Sequence, residues 1–167
     1  TANIIYNVLQ DSEIINSHKN CDKVQDPYSF RCIPHVHGAS RDIFENATKI
    51  IDNEINSVSD NPLILRDGTI ANSGHFHAEH VSQSLDSISI AFSELGSISE
   101  RRIHNFMKGV EGKFEPFVTL RPGLESGYMI AHVTATALAS ENKTLAHPAS
   151  VDSINSSAGQ EDLVSMA

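Results

Sequence analysis

Between positions 81 and 95 the apolar residues Val81, Leu85, Ile88, Phe92 and Leu95 step by alternating four and three. Side chains three and four apart share one face of an α-helix, whereas a strand would scatter them over two faces. This alternation is the seam of a coiled coil or a helical bundle. It continues through Ile98, Ile103, Phe106 and Met107, with Glu100, Arg101 and Arg102 as charged neighbours. The spacing therefore predicts one long helix that must pack against others. Gly96 lies inside it at some cost in helix propensity, and Gly109 and Gly112 end it.

A second helix is expected from Pro34. Val36, Ala39, Ile43, Phe44, Ala47, Ile50, Ile51, Ile55 and Val58 follow a period near 3.6, opposite Arg41, Asp42, Glu45, Lys49 and Asp52. Ser59-Asp60-Asn61-Pro62 stops it. A third helix is marked by Leu124, Tyr128, Ala131, Ala135, Leu138 and Leu145, and its many small residues allow close approach. Between the first two, residues 63–71 read as a hairpin turning at Asp67-Gly68. Ile4, Ile5, Val8 and Leu9 have helical spacing near the start, with Ile14 and Ile15 more loosely so. Residues 18–23 form a polar connector. At the other end, Ser157 followed by Gln160 fits a capping box and predicts a helix start.

The resulting fold class is mainly α: a long-helix bundle with one small β-hairpin, forming a single partial domain over residues 1–167. The seam calls for more helices than these residues supply, from elsewhere in a longer chain or from other subunits. The absent initiator methionine and the abrupt end at Met166-Ala167 are read the same way, as the ends of a fragment.

A net charge of −9, with histidine neutral, argues against a nucleic-acid backbone or an anionic membrane as partner. No apolar run approaches the length of a membrane span, and no signal-like segment opens the chain. Cys21 and Cys32 are too few for a disulfide framework, so free thiols in a cytoplasmic protein are expected.

The stretch most able to carry chemistry is Gln25-Asp26-Pro27-Tyr28-Ser29-Phe30-Arg31-Cys32. Arg31 offers a planar fork of donors that fits a carboxylate. Tyr28 can donate, accept or, with a lowered pKa, move a proton. The plainer reading is a helix entry, with Asp26 as cap, Pro27 at the first helical position and Arg31 solvated. His75, His77 and His80 with Glu79, and the pair His35 and His37, invite a metal reading, but no recognised metal motif accompanies them; no metal is expected. Gln160-Glu161-Asp162 places carboxylates where they can cap a helix or hold a polar substrate group. Neither Ser73-Gly74 nor Ser126-Gly127 lies in a Gly-x-Ser-x-Gly turn.

Taken in order, several segments resemble the aromatic amino acid ammonia-lyases, the histidine-specific branch most of all. They are residues 17–32, Val58-Ser59-Asp60-Asn61-Pro62-Leu63, Gly74-His75-Phe76-His77-Ala78-Glu79 and Ile98-Ser99-Glu100-Arg101-Arg102-Ile103. Ser126-Gly127-Tyr128-Met129-Ile130-Ala131, Ala139-Ser140-Glu141-Asn142-Lys143, residues 147–153 and Gln160-Glu161-Asp162 complete the set. The resemblance implies a helical homotetramer with active sites shared between subunits that eliminates ammonia from L-histidine to give trans-urocanate. It implies a methylidene-imidazolone electrophile formed autocatalytically from Ala-Ser-Gly. It places Arg31 on the substrate carboxylate, Tyr28 beside the electrophile and reacting carbons, Gln25 near the electrophile, Phe76 in the pocket wall and Glu161 facing the substrate imidazole.

The sequence departs from the family in specific places. Ala39-Ser40 is followed by Arg41, and Ser157-Ala158-Gly159 has the wrong order, so Ala-Ser-Gly is absent. The segment that carries the family's tyrosine base is absent as well. His75, Gly159 and Leu163 stand where the family usually has Asn, Asn and His. The expectation is thus a fragment of a carbon-nitrogen lyase, inactive by itself, that supplies substrate-binding and pocket residues. Other readings are a lyase or aminomutase relative acting on another amino acid, a non-catalytic helical oligomerisation module, and a metal-binding protein.

Overall fold

The structure, a computed structural model, describes residues 1–109 and 113–167. Helices α1 (Ala2–Val8), α2 (Glu13–Ser17) and α3 (Tyr28–Arg31) lead into α4 (Ile33–Ile55). Strands β1 (Leu63–Ile64) and β2 (Ile70–Ala71) precede α5 (Glu79–Met107) and α6 (Met129–Leu145), and β3 (Ile154–Ser156) and β4 (Glu161–Val164) close the chain. The chain groups into two compact units, one of Thr1–Asp42 with Ala91–Leu145, the other of Ile43–Ile90 with Ala146–Ala167. No helix among the described residues is long and apolar enough to cross a membrane.

The long helix runs where its spacing puts it, and Gly109, at φ +74°, follows its end; Gly112 lies outside the described residues. The apolar seam, however, is only partly buried by this chain. Leu85 is 50 % and Phe92 57 % exposed, while Ser84, Ala91 and Ile98, spaced seven apart, are buried. Small residues let a neighbouring helix approach closely: a Cβ added at Gly96 would stand 3.0 Å from Asn142 Nδ2 on α6. Ser84 avoids an unpaired hydroxyl by donating to His80 O of its own helix at 2.7 Å. The buried apolar core of the described residues is Ala47, Ala91, Ile98, Met107 and Ala139.

In the first unit α5 and α6 meet at a buried carboxylate. Glu100 Oε1 accepts from His132 Nε2 at 3.1 Å and from Thr136 Oγ1 at 3.2 Å, and Oε2 pairs with Arg101. Burial pushes the Glu100 carboxyl up, but these donors outweigh it and leave the group below the ordinary glutamate value. Helix α6 begins at Met129, later than its apolar pattern suggests. Gly127 sits at φ +46°, and Tyr128 N–H donates to Phe117 O at 3.0 Å, so Leu124 and Tyr128 lie in the approach to the helix. Helix α4 likewise ends at Ile55, leaving Val58 beyond it.

In the second unit β1 and β2 pair antiparallel, Leu63 opposite Ala71 and Ile64 opposite Ile70. Gly68 takes φ +83° in the turn, and Asp67 accepts the Thr69 N–H at 2.9 Å. Asp86 accepts the N–H groups of Ser150 at 2.8 Å and Ala149 at 3.3 Å, tying the start of the C-terminal segment to α5.

That segment corrects the sequence reading. Instead of a helix start after Ser157, β3 and β4 form a second antiparallel pair joined by a short 3-10 turn. Ser157, Ala158 and Gly159 take φ of 51°, 56° and 85°. A right-handed helix cannot begin through consecutive left-handed residues. The capping box is not formed: Gln160 N–H donates to the Ser157 backbone carbonyl, at 3.2 Å.

Candidate active site

The first cluster sits on α3, a single turn. Pro27 occupies the N-cap position, with ψ 152°, and its carbonyl accepts the N–H groups of Phe30 and Arg31, each at 3.0 Å. No side chain caps this turn, so neither the expected Asp26 cap nor Pro27 at the first helical position is realised. The extended ψ of Pro27 excludes it from the helix and fixes the angle at which Tyr28 leaves the chain.

Residues three apart on a helix face each other. The Arg31 guanidinium carbon accordingly lies over the Tyr28 ring, 4.8 Å from its centroid. A cation–π contact over the ring face uses up none of the N–H donors, so the guanidinium retains them for a carboxylate. Gln25 and Tyr28 both line an open recess of about 500 Å³, together with Lys23, Val24, Asp26 and Pro27. Tyr28 is exposed, whereas Ser29 beside it is buried at 7 % exposure. Ser29 is the anchor of the turn: its carbonyl accepts from Arg102 Nε at 3.0 Å, and its Oγ accepts from Asn105 Nδ2 at 3.0 Å.

The second cluster belongs to the other unit. Phe76 and Glu161 line a recess of about 490 Å³ with His77, Gln160, Asp162, Leu163, Val164 and Ser165. His77 Nε2 lies 3.1 Å from Leu163 O, a bond that fastens β4 beside the loop carrying Phe76. Glu161 is on strand β4, not at a helix N-terminus, so no helix dipole acts on it. Its carboxyl is nevertheless held below the ordinary glutamate range, first by the Ser157 hydroxyl and then by Ser156, whose Oγ donates to Oε2 at 3.2 Å. The group is ionised at neutral pH and can accept an N–H.

Gln25, Tyr28 and Arg31 thus come together in one unit, and Phe76 and Glu161 in the other. Among the described residues no three of His, Cys, Asp and Glu converge as metal ligands. Sequence reasoning missed the hydroxyls of Ser156 and Ser157 on Glu161, the His77 bond to Leu163 O, and the Arg102 and Asn105 bonds to Ser29. The last two pairings span 86 and more than 70 residues, and nothing in local spacing signals them.

A mainly helical chain with this pair of clusters falls within a known class. The pattern of the aromatic amino acid lyase family matches residues 1–167, and the chain belongs to that family. It is 55 % identical over 157 residues to the histidine ammonia-lyase of Vibrio cholerae, covering 93 % of this chain and 31 % of the Vibrio protein. Among solved structures, histidine ammonia-lyase from Trypanosoma cruzi superposes with a TM-score of 0.78 at 48 % identity, over 85 % of this chain and 28 % of that one. The phenylalanine aminomutase of Pantoea agglomerans superposes with a TM-score of 0.81 at 29 % identity, over 98 % and 36 % respectively. The chain therefore spans about a third of the length of the relatives it matches.

Proposed function

We propose that this chain is the part of a histidine ammonia-lyase that binds and orients L-histidine for elimination of ammonia to trans-urocanate. The observation that carries the substrate assignment is Glu161. Its carboxylate, held below the ordinary glutamate range by Ser157 and Ser156, lines a recess with Phe76. An ionised carboxylate beside an aromatic wall suits a flat ring that donates N–H, as imidazole does and a phenyl ring does not.

In this reading Arg31 takes the substrate carboxylate through its fork. Tyr28, within reach of Arg31, faces the reacting carbons, where a phenol can donate to or accept a proton. Glu161 accepts the imidazole N–H and aligns the ring. The methylidene-imidazolone of the family supplies an electrophilic carbon. Ala-Ser-Gly does not occur in this sequence, so these residues do not form the group. They do suit its surroundings: Gln25 and Tyr28 share a recess and offer an amide and a phenol, which match the group's carbonyl oxygens and ring nitrogens in donor and acceptor type. The working protein is proposed to be a cytoplasmic homotetramer.

The test is to give the full-length protein L-histidine and follow the ultraviolet absorbance of urocanate. Turnover is expected for the full-length protein and none for residues 1–167 alone. Absence of urocanate from the full-length protein would refute the proposal. The likeness to the Pantoea aminomutase favours one second reading, migration of an amino group instead of its loss. A β-amino acid product, from histidine or from phenylalanine or tyrosine, would identify it.

A further inference from the structure

The turn that carries Tyr28 and Arg31 is one helical turn long. An isolated turn of this length is unstable in water, because nucleation fixes several dihedrals for a single hydrogen bond. Something outside α3 must hold it. Most of what faces outward from the turn is exposed, including Tyr28, Phe30 and Arg31; Ser29 alone is buried. Two side chains of α5, three residues apart and therefore on one helix face, reach Ser29. Arg102 Nε donates to the Ser29 carbonyl at 3.0 Å and Asn105 Nδ2 donates to the Ser29 Oγ at 3.0 Å. Arg102 also contacts His37 Nε2 through Nη2 at 3.2 Å. Guanidinium can only donate, so His37 Nε2 is the acceptor in this contact. Arg102 thereby joins α3 to α4 through two donors of its fork, Nε and Nη2.

We infer that Arg102 and Asn105 are positioning residues that set the orientation of Tyr28 and Arg31 by clamping Ser29, with His37 fixing the Arg102 side chain. Neither touches the recess beside Tyr28. Both act on the residue between the two that do the chemistry in the reading above, on which this inference rests for its functional consequence. The Ser29 carbonyl lies in the same backbone as the Tyr28 and Arg31 Cα atoms, so releasing it lets both side chains swing together. A displacement of about 1 Å in such groups costs about a hundredfold in rate. The Lys variant of Arg102 keeps the charge but has no fork, and reaches only one of the two acceptors.

The test uses the full-length protein with R102Q, R102K and N105A. Hydrogen exchange is read on the peptide covering residues 28–32, and KM and kcat are measured with L-histidine. R102Q is expected to speed exchange of the Phe30, Arg31 and Cys32 amides at least tenfold, leaving residues 129–145 as in the wild type. It is expected to raise KM and lower kcat together by about tenfold or more each. R102K should lie between R102Q and the wild type, and N105A, which removes one bond, should loosen the same peptide less. If R102Q does not fold, N105A carries the test by the same readouts.

Unchanged exchange at residues 28–32 in the folded variants overturns the inference. So does loosening spread evenly over α4, α5 and α6, or a lower amount of active protein with an unaltered KM, since these mark an ordinary structural residue. Selective loosening of 28–32 in a protein that never turns over histidine leaves the clamp standing and removes the functional reading instead.

Discussion

Replacing Glu100 probes the joint between α5 and α6. The residue is 4 % exposed, and three donors converge on it. Breaking a buried ion pair costs about 3–5 kcal/mol, and a charge-assisted hydrogen bond is worth about 1.5–3. The Arg101 partner is 58 % exposed and can turn to water, so its share is discounted heavily. What remains is chiefly the loss at half-buried His132, whose donor E100A leaves without an acceptor, with a smaller share from Thr136, which is exposed and can turn to water. That places E100A at about 3 kcal/mol. E100Q keeps an oxygen for His132 and Thr136 but loses the charge, and should cost about 1 kcal/mol. In the full-length protein these costs appear as faster hydrogen exchange of the α6 amides, about 150-fold for E100A and about fivefold for E100Q. The pH dependence has a definite sign. The folded carboxyl titrates below its ordinary value of 4.5. Its contribution is therefore complete above that value and fades as pH falls through the lower folded value. The gap in protection factor between wild type and E100Q should narrow below pH 4.5 and stay constant above it. Protection in E100A within about threefold of the wild type, a difference under about 0.7 kcal/mol, would refute the argument that this carboxylate ties the two helices together.

Further outcomes follow from individual contacts. R31K should raise the KM for L-histidine in the full-length protein by about tenfold, and R31A by about a hundredfold, because a point charge replaces a fork and then nothing does; a KM unmoved in R31A would remove Arg31 from the substrate. S157A should bring the Glu161 carboxyl back toward its ordinary 4.5, read by carbon-13 NMR titration, and the acid limb of histidine turnover should move up in pH with it. G127A drives a Cβ into Phe117 O at φ +46° and should destabilise by about 2 kcal/mol or more, measured as lost amide protection at the start of α6. H77L removes the bond to Leu163 O and should raise exchange across residues 161–164 while leaving residues 28–32 unchanged.

The sequence by itself determined the helices. The four-three seam of α5, the 3.6 period of α4 and the Asp67-Gly68 turn are local patterns, each specified by residues within a few positions of one another, and each element forms over those residues, with α4 stopping at Ile55 short of Val58. The resemblance to the ammonia-lyases put forward Gln25, Tyr28, Arg31, Phe76 and Glu161 as site residues, and the segments that carry it are legible because they need only neighbours in the chain. Which face of α5 this chain buries was decided by tertiary structure. Small Ser84 and Ala91 are buried, while Leu85 and Phe92 stay exposed. A hydrophobic period reports that a face is to be covered, not by what. Tertiary structure also turned Ser157–Gly159 into a hairpin where the capping residues pointed to a helix. It alone joined Arg102 and Asn105 to Ser29 and His77 to Leu163. Hydrogen bonds between residues tens of positions apart form only when the fold brings them within 3 Å or so, and no local period of the chain encodes that distance.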